Sequence, residues 1–223
     1  MNKLTALYII CLCVFYCTAC QKAKFSAPQN LGLAYYPLQL GSRTIYAVDS
    51  TVYSDFNNSI TTYHFQIKDS VAQVTTNNEG HNQYRIERYK KSNTVWEYQK
   101  TIARTIVANR AEEFIDNRRY VRLVFPQTLN SSWNGNLYND LEEWRHRIIN
   151  LDEAIEINGL KIDSSLLVEQ YNENNLIRED SYYETYAKHI GLVEKNVKAV
   201  DKDINTGAIK RGYTYKMSIL SHR

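Results

Sequence analysis

The chain has 223 residues, 27 basic against 24 acidic for a net charge of +3, with 43% hydrophobic and 12% aromatic residues. This apolar content suffices for a packed core and excludes a disordered chain. The charges are interspersed in mixed-sign clusters, which excludes the basic stripe of a nucleic-acid binder.

The chain opens with Lys3, an almost unbroken apolar run over 4–14, and the small-residue stretch Cys17-Thr18-Ala19-Cys20. That is the plan of a secretory signal. The run falls short of the roughly 20 residues that cross about 30 Å of hydrocarbon, which argues against an uncleaved anchor. All four cysteines, Cys11, Cys13, Cys17 and Cys20, lie in this stretch. Cleavage before Cys20 leaves one thiol, which acylation caps in an oxidising compartment. The stretch resembles the lipobox of bacterial lipoproteins, with Cys17 where that family usually carries Leu. The resemblance implies a signal peptide over 1–19, lipid (palmitate) attachment at Cys20 and a membrane partner through that anchor. An ordinary secretory signal cut near Ala19 is the alternative. Residues 20–34 are polar and small, with Pro28 and Gly32, and read as a flexible tether. The non-acidic Gln21, by likeness to lipoproteins generally, implies an outer-membrane position facing the periplasm.

A single β domain is expected over 35–223. Residues 43–53 are rich in β-branched and aromatic residues. Tyr63, Phe65 and Ile67 then alternate with polar neighbours, the mark of a half-buried strand, which 71–76 continue. The turn Asn77-Asn78-Glu79-Gly80 leads into a strand over 83–89, and 95–107 form one long strand or two. Ala111 to Ile115 reads as a short helical turn. Residues 119–125 alternate again until Pro126, which cannot donate to a ladder. A long polar loop over 127–140 carries Trp133, and loops of this length are often functional. Strands follow over 143–150, 166–171, 182–187, 192–200 and 211–220, and Asn158-Gly159 is the strongest hairpin signal in the chain. The sum predicts a mainly β fold: an antiparallel, meander-rich curved sheet or half-barrel of about ten strands, with a two-sheet β-sandwich as the alternative.

Several stretches resemble a set of uncharacterised Bacteroidetes cell-envelope lipoproteins: Tyr35-Tyr36-Pro37-Leu38 with Gly41, Trp133-Asn134-Gly135-Asn136, and Glu184-x-Tyr186-Ala187-Lys188-x-Ile190-Gly191-Leu192-Val193. The resemblance covers nearly the whole mature chain and implies an envelope location. His189 stands where that set usually has glycine. The last element is also similar to envelope proteins with a curved half-barrel sheet, lipid carriers among them.

Chemistry is sparse. His64, His81, His146, His189 and His222 lack any ligand spacing, so no metal and no cofactor is expected. There is no nucleophile elbow and no phosphate-cradling glycine loop. The pairs Glu112-Glu113 and Glu142-Glu143 are adjacent, and on a strand adjacent side chains point to opposite faces. The expectation is therefore a protein without enzymatic activity. Eighteen tyrosines are the compositional outlier, read either as a sheet surface or as a binding surface. The candidate binding residues are Trp133, Tyr182, Tyr183 and Tyr186, together with Tyr213, Tyr215 and Met217, which share one strand face with Ile219. That face serves either a ligand or ordinary core. Two function classes stand beside each other: a binding or carrier module for an apolar or amphipathic ligand, and an interaction subunit for an envelope protein partner. An envelope hydrolase ranks behind both.

Overall fold

A computed structural model describes residues 32–223. The signal peptide, Cys20 and nearly all of the tether lie outside the described residues. After a 3-10 turn at Leu33–Tyr35 the chain forms twelve strands: β1 (Arg43–Ser54), β2 (Ser59–Thr76), β3 (Asn82–Ser92), β4 (Val95–Val107), β5 (Arg110–Ile115), β6 (Arg118–Val124), β7 (Ser132–Asn134), β8 (Arg145–Ile157), β9 (Leu160–Asn174), β10 (Arg178–Ala187), β11 (Gly191–Lys202) and β12 (Ile209–His222). Every pairing is antiparallel, and the order is β6-β5-β4-β3-β2-β1-β12-β11-β10-β9-β8-β7. Two meanders are thus joined where β1 pairs with β12, Thr44 opposite His222 and Tyr53 opposite Gly212.

This is the antiparallel, meander-built curved sheet expected from the period-two pattern, rolled into a nearly closed barrel, with twelve strands rather than about ten. Two elements account for the difference. Ala111 to Ile115 is strand, not helix: Glu113 lies directly across from Arg104, and Glu112 from Thr105, so cross-strand partners override the helix propensity of Ala and Glu. The second is β7, three residues inside the polar loop, too short to show any period.

The edge strands β6 and β7 meet at a seam. Val121 N–H donates to the Gly135 carbonyl at 2.9 Å, and the Trp133 indole N–H returns a bond to the Val121 carbonyl at 3.0 Å. The seam satisfies edge groups that an open sheet would present to other chains.

In a meander alternate hairpins fall at the same end of the barrel. At one end the segment 33–41 folds inward as a plug. Tyr35 and Tyr36 are buried in a cluster with Leu123, Phe125, Ile148, Leu166, Val168 and Tyr186. The Tyr35 hydroxyl donates to Asp152 at 2.7 Å, His189 N–H to the Ala34 carbonyl at 2.7 Å, and Gly41 N–H to the Val71 carbonyl at 2.9 Å. Beside it Tyr46, Val48, Ile67, Ile162, Val193, Met217 and Ile219 form a second cluster, each large apolar side chain contributing about 1.5–3 kcal/mol. Asn158 and Gly159 have φ of +52° and +80°, the backbone a type I′ hairpin needs. His189 takes φ +66°, the left-handed conformation for which glycine is the usual residue.

The opposite end carries the β1–β2, β3–β4, β5–β6, β9–β10 and β11–β12 turns and the loop 135–144. No plug covers it.

Candidate functional site

Seven charged side chains cross the barrel interior. Asp69 on β2 takes a bidentate bond from Arg88 on β3, both contacts 2.7 Å. Arg104 on β4 stands 3.7 Å from Asp69 and donates to Glu113 on β5 at 2.8 Å. Arg122 on β6 donates to Glu113 at 2.8 Å and reaches Glu184 on β10 at 3.7 Å. Lys195 on β11 closes the row on Glu184 at 2.8 Å. Signs alternate throughout. Three of the contacts, Asp69 with Arg88, Arg104 with Glu113 and Glu184 with Lys195, join direct cross-strand partners. A one-residue slip in any of these ladders would bury unpaired charge, so the row fixes register as well as filling space.

Burial alone would raise the Glu113 carboxyl, but the Arg122 and Arg104 guanidiniums outweigh it and hold the group at about 2. Burial acts the same way on Glu184, and Lys195 with Arg122 hold it well below the usual carboxylate range. Glu184 also accepts the Tyr186 hydroxyl at 2.6 Å. Around the middle of the row lies an enclosed space of about 50 Å³, bounded by Tyr36, Tyr46 and Tyr186. It is wide enough for water and too small for an organic ligand.

The unplugged end differs. Between β6, the loop 135–144 and the facing strands β8–β12 lies a recess of about 430 Å³, within the range of small-molecule sites. Its aromatic wall is Trp144, stacked on Tyr171 with ring centroids 5.2 Å apart and tilted against Tyr182 at 4.7 Å. Tyr120, Tyr213, Val197 and Leu141 extend the apolar lining, while Arg122, Lys195, His146 and Gln170 supply the polar part. Burial, then the Arg122 guanidinium, push the His146 ring down to about 3, so it is neutral at physiological pH. His146 Nδ1 and Gln170 Nε2 are buried without a hydrogen-bond partner in the protein. His146 is wedged in place: a Cβ on Gly135 would come within 2.2 Å of its ring, and Trp133 meets it edge-on with centroids 5.6 Å apart. Burial and the Tyr213 hydroxyl raise Tyr182 well above the usual tyrosine range.

The structure sorts the residues singled out in the sequence. Tyr182 and Tyr213 both line the recess. Tyr183 points the other way and bonds Glu169 at 3.1 Å. Tyr186 belongs to the interior row, and Trp133 to the seam rather than to a loop surface. Tyr215 is half-buried against the second cluster, in which Met217 and Ile219 are close-packed. Trp144, His146, Gln170, Arg122 and Lys195 were missed. The signal that could have found Lys195 is a charge at an inward strand position: it sits between Val193 and Val197, as Arg104 of the row sits between Ile102 and Ile106. Among the described residues no cluster of three or more His, Cys, Asp or Glu could hold a metal ion.

No protein-family model and no curated protein matches the chain. Among solved structures it is similar to an exported protein of Bacteroides fragilis described as having a YmcC-like fold, with TM-score 0.50 and 8% identity over 84% of this chain and 98% of that one. A Parabacteroides distasonis protein described as a lipoprotein aligns with TM-score 0.42 and 9% identity over 85% and 98%. At these identities the likeness to the first establishes the fold alone.

Proposed function

We propose that the chain is a lipid-anchored cell-envelope protein, attached through Cys20 at the outer membrane, that binds an amphipathic ligand in the recess and performs no catalysis. The observation that carries the reading is the recess itself. An aromatic wall of Trp144, Tyr182 and Tyr213 shares the lining with a polar floor of Arg122, Lys195, His146 and Gln170, and that division matches a molecule with one apolar and one polar end. The groups of the floor and the row behind it are a poor fit to catalysis: His146 on the floor is held neutral, its pKa down at about 3, and Glu184, behind the floor, is tied up by Lys195 and Tyr186.

The test uses calorimetric titration of the mature protein with dodecanoate below its micellar concentration. Saturable binding is expected, and it should vanish in Val197→Trp, which fills the recess from β11 while every member of the charged row keeps its own side chain. Saturable binding by Val197→Trp equal to that of the wild type would remove the recess as the site. A fatty-acid probe fed to cells should label the wild type and not Cys20→Ser.

The second reading, an interaction subunit, draws on the hairpin tips of the unplugged end, where Phe56, Leu176, Ile177 and Ile204 are all exposed. These turns neighbour one another in the sheet order, and exposed apolar side chains gathered at one end suit a protein contact. Under that reading protein purified from its own cells carries a partner chain and no extractable amphiphile.

A further inference from the structure

We infer that the recess selects amphiphiles with an anionic head, and that Lys195 is the residue that receives the head. The inference rests on the reading of the recess as a ligand site and adds the sign of the charge it recognises.

The charged row holds four cations, Arg88, Arg104, Arg122 and Lys195, and three carboxylates, Asp69, Glu113 and Glu184. One positive charge is therefore left over within the row. The buried tyrosines do not balance it, because burial raises Tyr36 and Tyr186 and keeps both hydroxyls protonated. The neutral His146 adds no charge of either sign.

Position assigns the surplus. Each inner member of the row touches two opposite charges, and the two end members touch one. Arg88 at one end is engaged by both oxygens of Asp69 and lies outside the recess lining. Lys195 at the other end donates one bond, to Glu184, while an ammonium group can donate three. Its side chain is 27% exposed and forms part of the recess lining. The lining's one carboxylate, Glu142, stands on the exposed loop at the rim. An anionic head on Lys195, with its tail against Trp144 and Tyr182, would extend the alternation by one member and neutralise the surplus. Partly buried surroundings strengthen such a contact relative to the open surface.

The experiment compares dodecanoate with dodecanol, equal in chain length and different in head charge, by titration calorimetry on the mature protein. Wild type should bind the acid about tenfold or more tightly than the alcohol. Lys195→Met should bring the ratio below about threefold through loss of acid affinity alone, and Lys195→Arg should keep the preference. A residue that serves only to hold the fold would move both ligands together. Should Lys195→Met fail to fold, Lys195→Gln, which can still donate to Glu184, gives the same comparison. Equal affinity for acid and alcohol on the wild type would overturn the anion inference and leave the recess reading standing. An unchanged ratio in Lys195→Met or Lys195→Gln would overturn the assignment to Lys195. Binding of neither compound would remove both.

Discussion

The two ends of this barrel are built from the same strands and finished in opposite ways. At the plugged end Tyr35 and Tyr36 enter the interior and meet Leu123, Ile148 and Leu166 in an apolar cluster. At the other end no described segment enters, and inward positions of the same strands become the wall and floor of a recess. Compare β12: Met217 and Ile219 are core, while Tyr213, on the same inward face, is 41% exposed. A β-barrel interior is thus not core by default. Whether an inward side chain becomes packing or lining depends on whether some other segment closes that end.

The plug is the strongest place to break the contrast. Tyr36→Ala should cost about 3–5 kcal/mol, the range for removing a large buried aromatic, whereas Tyr213→Ala at the open end should cost under about 1 kcal/mol. Urea denaturation measures both. Equal costs would mean that the two ends are not energetically distinct.

The charged row links the ends, and cutting it comes next in size. Arg122→Met leaves Glu113 with Arg104 and Glu184 with Lys195. The loss should therefore be about 2–3 kcal/mol, below the 3–5 kcal/mol of a carboxylate left with no partner. Adding Glu113→Gln should recover part of that loss, a coupling that a double-mutant cycle reads directly.

The smallest effect sharpens the comparison through pH. His146, with its pKa lowered from 6.5 to about 3, stays neutral in the folded protein while the unfolded chain takes up a proton below about 6.5. Stability should fall as pH drops through the window from 6.5 towards 3, with a limiting slope of about 1.4 kcal/mol per pH unit from this group. The burial-lowered His222 adds a term of the same sign. Glu113, held at about 2, contributes stability that is full above its unfolded value near 4.5 and is lost only as pH falls further towards 2. Melting temperatures from pH 7 to 5 should therefore decline in the wild type and decline less in His146→Gln. An identical slope in the variant would mean that His146 is not held neutral.

The strands were largely legible because their chemistry is local. Period-two alternation and turn residues mark β1, β2, β4 and the Asn158-Gly159 hairpin, where backbone conformation and residue type agree. What escaped was non-local. Ala111 to Ile115 is locally helical in composition and becomes strand through partners such as Arg104. The recess draws on Tyr120, His146, Gln170, Tyr182, Lys195 and Tyr213, spread over six strands, and no spacing in the chain expresses their convergence. Tyr182 and Tyr213 were legible as aromatics on strand faces. Trp144 and His146 sit at the start of β8, next to Arg145 and Arg147, where the pattern shows only alternation.

The pairing of β1 with β12 bears on how the chain reaches this state. Thr44 and His222, 178 positions apart, are partners, while every other strand pairing joins consecutive strands of a meander. Each half can zip up hairpin by hairpin, but closure must wait until β12 has emerged behind everything else, the slow, non-local kind of step. Until then the outer edge of β1, with Tyr46 and Val48 on one face, is an open template for strands of other chains. Synthesis in one direction thus presents the N-terminal meander half-finished, with the β1 edge open until the last strand is made.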